Sequence, residues 1–296
     1  MNKMYMKKFF LYIVLVAFPL LAKAQASGGQ ITRKSTAQHQ STLAKPNTKK
    51  ETLGYYSKEY LENKEFYVNG VCFTMVGVQG GVFTMGATLE QGNDSFTEEK
   101  PVHKVAVNSF RIGKTEVTQE LWTAVMGNNP SRFKGGNLPV ECIDWASCKV
   151  FIEKLNAMTN MHFRLPTEAE WEYASRGGEN GGKCRYSGGN SINEVAWFSN
   201  NSSEKTHIVG TKSPNEFGIY DLSGNVQEWC EDYYSPYEKA SQTNPTGPSN
   251  GVGWRKTRII RGGSCNDIEY RCRICVRFDL PESGYYNEFT GMRLAL

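Results

Sequence analysis

A chain of 296 residues with a formal net charge of +4 carries little positive excess, and that excess is unevenly placed. Residues 1–24 hold four lysines and no acid, and residues 25–57 hold Arg33, Lys34, Lys45, Lys49 and Lys50 against Glu51 alone. The rest is mildly acidic, which argues against nucleic acid as a partner because that function needs a basic face.

The first 24 residues predict a secretory signal peptide. Lys3, Lys7 and Lys8 precede an apolar run from Phe9 to Ala22, and Ala22 and Ala24 frame a cleavage position before Gln25. A run of about 14 apolar residues is too short to span a bilayer comfortably. No cysteine follows that position to take a lipid anchor, and no later segment is apolar enough to span. The expected location is therefore extracytoplasmic: secreted, periplasmic or in the cell envelope. Residues 25–57, rich in Gln, Ser, Thr and Lys, bury too little to offset their ordering entropy and are expected to form a disordered basic tether. Residues 58–296 are aromatic and Gly-punctuated without a fixed repeat, and suit one large domain.

Within that domain Val71 to Val78 and Gly80 to Ala87 predict two strands of a hairpin-like unit. Val102 to Thr118 alternates apolar and polar residues and then turns. Gln119 to Gly127 predicts a helix with Thr118 as N-cap and Gly127 as its stop. A second helix is expected over Cys148 to Thr159, capped by Ser147, with Val150, Phe151, Leu155 and Met158 toward one side. A third lies in RLPTEAEWEYASRGG (Arg164 to Gly178), where Thr167 and Glu170 make a capping box and Trp171 and Tyr173 an aromatic face. Glu179 to Asn215 reads as one long polar loop. Such a loop is held by disulfides, metal ions or dense side-chain hydrogen bonding, which makes calcium worth considering.

All eight cysteines fall in this domain. An even count in an oxidising compartment predicts disulfides, with the pairing left open. In RGGSCNDIEYRCRICVR (Arg261 to Arg277), Cys265 and Cys272 read either as a redox or metal-binding thiol pair or as halves of disulfides.

Seven segments then occur in a telling order: GGVFTMGA, EEKPVHKVAVNSFRIGKTEVTQELW, PVECIDW, FRLPTEAEWEYASRGG, PNEFGIYDLSGNVQEW, RIIRGGS and GMRLAL. Together they resemble the formylglycine-generating enzyme, or sulfatase-modifying factor, family from about Gly80 to Leu296. The resemblance implies an α+β fold of the C-type-lectin-like kind, with short strands, few helices and long loops. It also implies oxidation of a sulfatase cysteine to formylglycine by dioxygen and a copper(I) ion held by two thiolates, soft ligands that suit that ion. A relative in ergothioneine synthesis uses iron bound by HxxxHxE; His39, His103, His162 and His207 are not so spaced, which argues against that activity.

Counted from Ser264, the family's first thiolate position falls on Asp267 and the second on Cys272. Cys265 stands two residues earlier and would share a strand face with Asp267, but the shift displaces the sulfur by about 6–7 Å. The tryptophan expected beside dioxygen is Gln227, while Ser264 is kept. Cys230, an added cysteine after Trp229, is the expected disulfide partner of Cys272, a bridge worth about 2–4 kcal/mol. The resemblance further implies a calcium ion bound by Asp221, Gly224, Val226 and Glu228, oxygen donors suited to a hard cation.

Two functions follow. One is a degenerate member that binds a protein or glycan, or serves envelope assembly, with Tyr233, Tyr234, Tyr237, Tyr285 and Tyr286 as candidate recognition aromatics. The alternative is a copper-dependent oxidase using Cys265, Cys272 and Ser264 on a sulfatase peptide. Because fold does not carry function by itself, the site must decide.

Overall fold

Alternating KEFYV and VCFTMVGV flank an Asn-Gly dipeptide, the strongest short hairpin signal. Asn69 and Gly70 both take positive φ (48° and 85°), and β1 (Lys64–Val68) pairs antiparallel with β2 (Val71–Val78) across them. The computed structural model describes residues 61–93, 95–179, 181–251 and 256–296. The signal peptide and tether expected over residues 1–57 lie outside the described residues. No helix among the described residues is long and apolar enough to cross a membrane.

β2 also pairs with β5 (Phe110–Gly113). Its two edges are thus filled, and β3 (Gly81–Met85) turns away to pair with β4 (His103–Val107) in a second sheet that adds β7 (Gln242–Thr243). The hairpin expected between β2 and β3 is therefore not formed. A third sheet runs β10-β6-β8-β9, built from Thr290–Met292, Gln227–Tyr233, Thr257–Arg261 and Arg277–Pro281, with β10 parallel to β6 and the rest antiparallel.

Helix α1 (Gln119–Met126) has Thr118 as N-cap and a left-handed Gly127 at its end, as its sequence predicts. Helix α2 (Trp145–Thr159) begins three residues before the expected start. Asp144, not Ser147, caps it, its carboxylate accepting from Ser147 N at 2.8 Å. Val150 and Met158, placed toward the packed side by the sequence, are exposed, whereas Phe151 and Leu155 are buried. Helix α3 (Glu168–Ser175) carries the predicted capping box between Thr167 and Glu170. The loop after it contains one short helix, α4 (Ile192–Val195).

The third sheet separates two apolar cores because side chains alternate along a strand. Trp229 and its register partner Ile260 face the core made with α1, α2 and the β1–β2 hairpin, where Trp122 stacks on Phe151 at 4.9 Å. Their neighbours Cys230 and Ile259 face the core made with α3, β3, β4 and β5. A third, smaller cluster gathers Tyr186, Ile192, Val195, Ala196, Phe198 and Cys272. The C-terminus closes the molecule: Leu296 and Arg111 exchange backbone hydrogen bonds at 2.9 Å in both directions.

The long loop is held by amide side chains. Asn215 donates to Ala174 O (2.8 Å) and accepts from Phe217 N and Ile219 N; Asn201 accepts from Phe198 N; Asn225 both accepts from and donates to the His207 backbone. All eight cysteines are free thiols. Cys230 and Cys272 belong to different clusters, so the expected bridge between them is not made. Dense side-chain hydrogen bonding, one of the three devices expected to hold such a loop, is in use.

Candidate functional site

The acidic residues of RLPTEAEWE serve the scaffold. Glu170 receives a bidentate Arg164 (2.6 and 2.7 Å) and Glu168 a bidentate Arg277 (2.7 Å each), while Glu172 pairs with Arg176 and with the fully buried Arg261. Buried charges persist only when paired in this way.

The segment after β8 shapes the cleft. Gly262 and Gly263 take φ of +95° and +69°, and a Cβ on Gly263 would meet Arg271 O at 2.8 Å and Cys272 Sγ at 2.9 Å. Only glycine lets the strand exit pass the turn at Glu269–Cys272 so closely. Ser264 then lines a cavity of about 290 Å³ together with Gln227, Asp267, Arg271, Tyr285 and Asn287.

At its base Asp267 Oδ2 accepts from Ser264 Oγ (2.7 Å) and Gln227 Nε2 (3.2 Å), and Oδ1 accepts from Arg271 Nη1 (3.3 Å). Thr290 Oγ1 links Gln227 Oε1 to Asn287 Oδ1. Asp267 and Gln227, where the resemblance implies a thiolate and a tryptophan, thus bond to each other, and Asp267 also bonds to Ser264. The sequence flagged Ser264, Gln227 and Asp267 one by one but gave no sign that they form one network.

Neither candidate thiol lines this cavity. Cys265 and Cys272 are fully buried and near enough for the charge of one to disfavour ionisation of the other. Burial foremost, then the Asp267 charge, pushes Cys265 up to about 12 and Cys272 well above the ordinary thiol value. Copper(I) would need both as thiolates, and neither lines the Ser264 cleft.

One member of the expected calcium set is already engaged. Glu228 is fully buried, and its oxygens are taken by Arg293 (2.6–3.0 Å) and Trp171 Nε1 (2.7 Å). Asp221, with φ +59°, accepts Gly210 N at Oδ2 and has its Oδ1 buried. Both carboxylate oxygens of the neighbouring Glu116 are also buried. Burial foremost, then the Asp221 charge, raises Glu116 well above the usual carboxylate range; burial foremost also raises Asp221, against hydrogen bonds from Gly210 N and Glu116 that lower it. Asp221 of the expected set therefore stands beside a second buried carboxylate, Glu116, which the sequence did not single out.

Of the five tyrosines proposed for recognition, Tyr233, Tyr234 and Tyr237 are half-buried, with Arg258 over Tyr233 at 3.3 Å and Arg277 over Tyr237 at 4.0 Å. Tyr285 and Tyr286 are exposed.

A family model described as the sulfatase-modifying factor enzyme 1-like domain matches residues 63–296. The chain is 33% identical to the chaperone protein LppX of Paenibacillus barcinonensis, over 61% of this chain and 78% of that protein. It is 28% identical to the formylglycine-generating enzyme of Streptomyces coelicolor, over 74% of this chain and 88% of the enzyme. Among solved structures, Treponema denticola variable protein 1 matches with a TM-score of 0.71 and 33% identity, over 79% of this chain and 98% of that one. Motifs, α+β architecture and these likenesses agree: the chain belongs to the sulfatase-modifying factor family, with the formylglycine-generating-enzyme fold.

Proposed function

We propose that this is a non-catalytic member of the family that binds a protein or glycan at the Ser264–Asp267–Gln227 cleft after secretion to the cell envelope or beyond. The observation that carries the reading is the hydrogen-bonded network itself. A carboxylate and an amide occupy the thiolate and aromatic positions, and they satisfy one another. On this reading a loss of copper chemistry is matched by a cleft that is locally well built. Its lining combines acceptors and donors (Asp267, Asn287, Arg271) with the rings of Tyr285 and Phe289. Such a mixture suits a sugar, whose apolar face stacks on a ring while its hydroxyls find polar partners.

The test has two arms. A cysteine peptide of CxPxR form, incubated with copper(I) and oxygen, should yield no aldehyde by mass spectrometry. A glycan array probed with the full chain should give hits that Gln227→Ala and Tyr285→Ala abolish. Aldehyde formation would restore the oxidase reading, with Cys265 and Cys272 as thiolates. Calcium is part of the proposal in altered form: the ion would be held by Asp221 with Glu116, and not by Glu228.

A further inference from the structure

At the other end of β6 lies a larger cavity, about 740 Å³, that shares no lining residue with the Ser264 cleft. Gln227 opens the strand and Asp232 stands near its end, roughly 17 Å away at ordinary strand rise. The wall of this second cavity carries three carboxylates, Glu168, Asp232 and Glu238, against one guanidinium, Arg277. That guanidinium is already used. Its Nε and Nη2 hold Glu168 at 2.7 Å each, and Nη1 donates to Ser235 O at 2.9 Å. Glu168 also accepts Tyr237 OH at 3.2 Å.

Asp232 has no such partner. Its exposure is 4%, and among the described residues its one hydrogen bond comes from Glu168 N to Oδ2 at 2.8 Å. Oδ1 receives no donor from the described residues and is not sealed off from solvent. Gly247, with φ +68°, passes beside it, and a Cβ there would stand 3.2 Å from Oδ1. Any side chain at that position would crowd the oxygen. Burial foremost and the Glu168 charge push Asp232 up to about 8, the behaviour of a carboxylate that lacks a cation.

We propose that this cavity is a binding site for an organic cation, an alkylammonium or alkylguanidinium group whose N–H donors meet Asp232 Oδ1. Pro236, Pro245 and Pro248 give the apolar wall for its stem, and the exposed Glu238 stands at the rim. A charge-assisted hydrogen bond in a largely buried place is among the stronger polar contacts, so one carboxylate is enough to fix the head group. The inference is independent of whether the Ser264 cleft binds a glycan.

The test is isothermal titration calorimetry of the full chain with three probes: agmatine, cadaverine, and a short arginine peptide with blocked termini. 1,5-Pentanediol serves as the uncharged control. At least one cation should bind while the diol does not, and Asp232→Asn should weaken binding by about tenfold or more. Glu238→Gln, an exposed change that spares the fold, should weaken it by roughly two- to threefold at low salt. Binding of the free amines supports a small-molecule ligand; binding of the peptide alone supports a protein side chain. Near neutral pH, titrations in two buffers of different ionisation heat should show proton release as the cation displaces the Asp232 proton. This readout uses the unaltered chain and stands even where Asp232→Asn does not fold. No binding by any probe, binding unchanged in Asp232→Asn, or binding without proton release would overturn the proposal.

Discussion

Ser264 Oγ donates to Asp267 Oδ2 across 2.7 Å, so the serine that follows the Gly262–Gly263 pair is tied to a carboxylate three residues on. Asp267 also takes Gln227 and Arg271. Asp267→Ala should cost about 1–3 kcal/mol, since partly buried donors are then left without an acceptor. Urea denaturation measures this, and a change below the error of the midpoint would mean that the network contributes nothing.

Thiol accessibility separates the cysteines. Cys72 is exposed, whereas Cys265 and Cys272 are fully buried with ionisation disfavoured. Alkylation of the native, non-reduced protein should label Cys72 quickly and leave Cys265 and Cys272 unlabelled until the fold is opened. Mass spectrometry reads both states. Rapid labelling of the buried pair, or a crosslink from Cys230 to Cys272, would contradict the arrangement described.

Glu228 should act through Arg293. Replacing it with Gln leaves a fully buried guanidinium without its charge partner, a loss on the order of 3–5 kcal/mol. Because the loss comes from an ion pair, a calcium chelator should neither reproduce it nor enlarge it. Thermal unfolding of both proteins, with and without chelator, checks this. Should chelation lower the melting temperature of the unaltered chain and leave Glu228→Gln insensitive, Glu228 would be a calcium ligand after all.

The pH dependence has a definite sign. Asp232 ionises at an ordinary carboxylate value in the unfolded chain and at about 8 in the folded one. The folded state therefore holds a proton that the unfolded state has released, and stability falls as pH rises from about 4 to about 8. The facing charges are Glu168 and Glu170 from α3, which sustain the effect, and Arg277 from β9, which opposes it. Asp232→Asn should flatten this part of the curve, whose height is on the order of a few kcal/mol. Denaturant midpoints at pH 5 and pH 8 supply the comparison, and equal slopes in both proteins would refute it.

What the sequence determined by itself was local. Thr118, Gly127 and the Thr167–Glu170 box mark helix ends because caps act within one turn, and those boundaries stand in the structure. Seven collinear motifs carried the family and the α+β class, and the match over residues 63–296 agrees. The Asn69-Gly70 turn is written in the sequence too, but the pairing of β2 with β1 in place of β3 is not. Strand pairing is decided by which edge is already filled, and that is a long-range matter.

Only the tertiary structure decided how the charges are spent. Glu228 reads as a cation ligand until Arg293, 65 positions later, is seen to hold both its oxygens. Glu116 reads as one more strand-end acid until it is found fully buried beside Asp221. Asp267 and Gln227 look like separate losses until they are found hydrogen-bonded. In each case the deciding quantity is burial together with a partner distant in the chain. A short-range pattern fixes neither, because desolvation and pairing arise only when the sheets and loops pack.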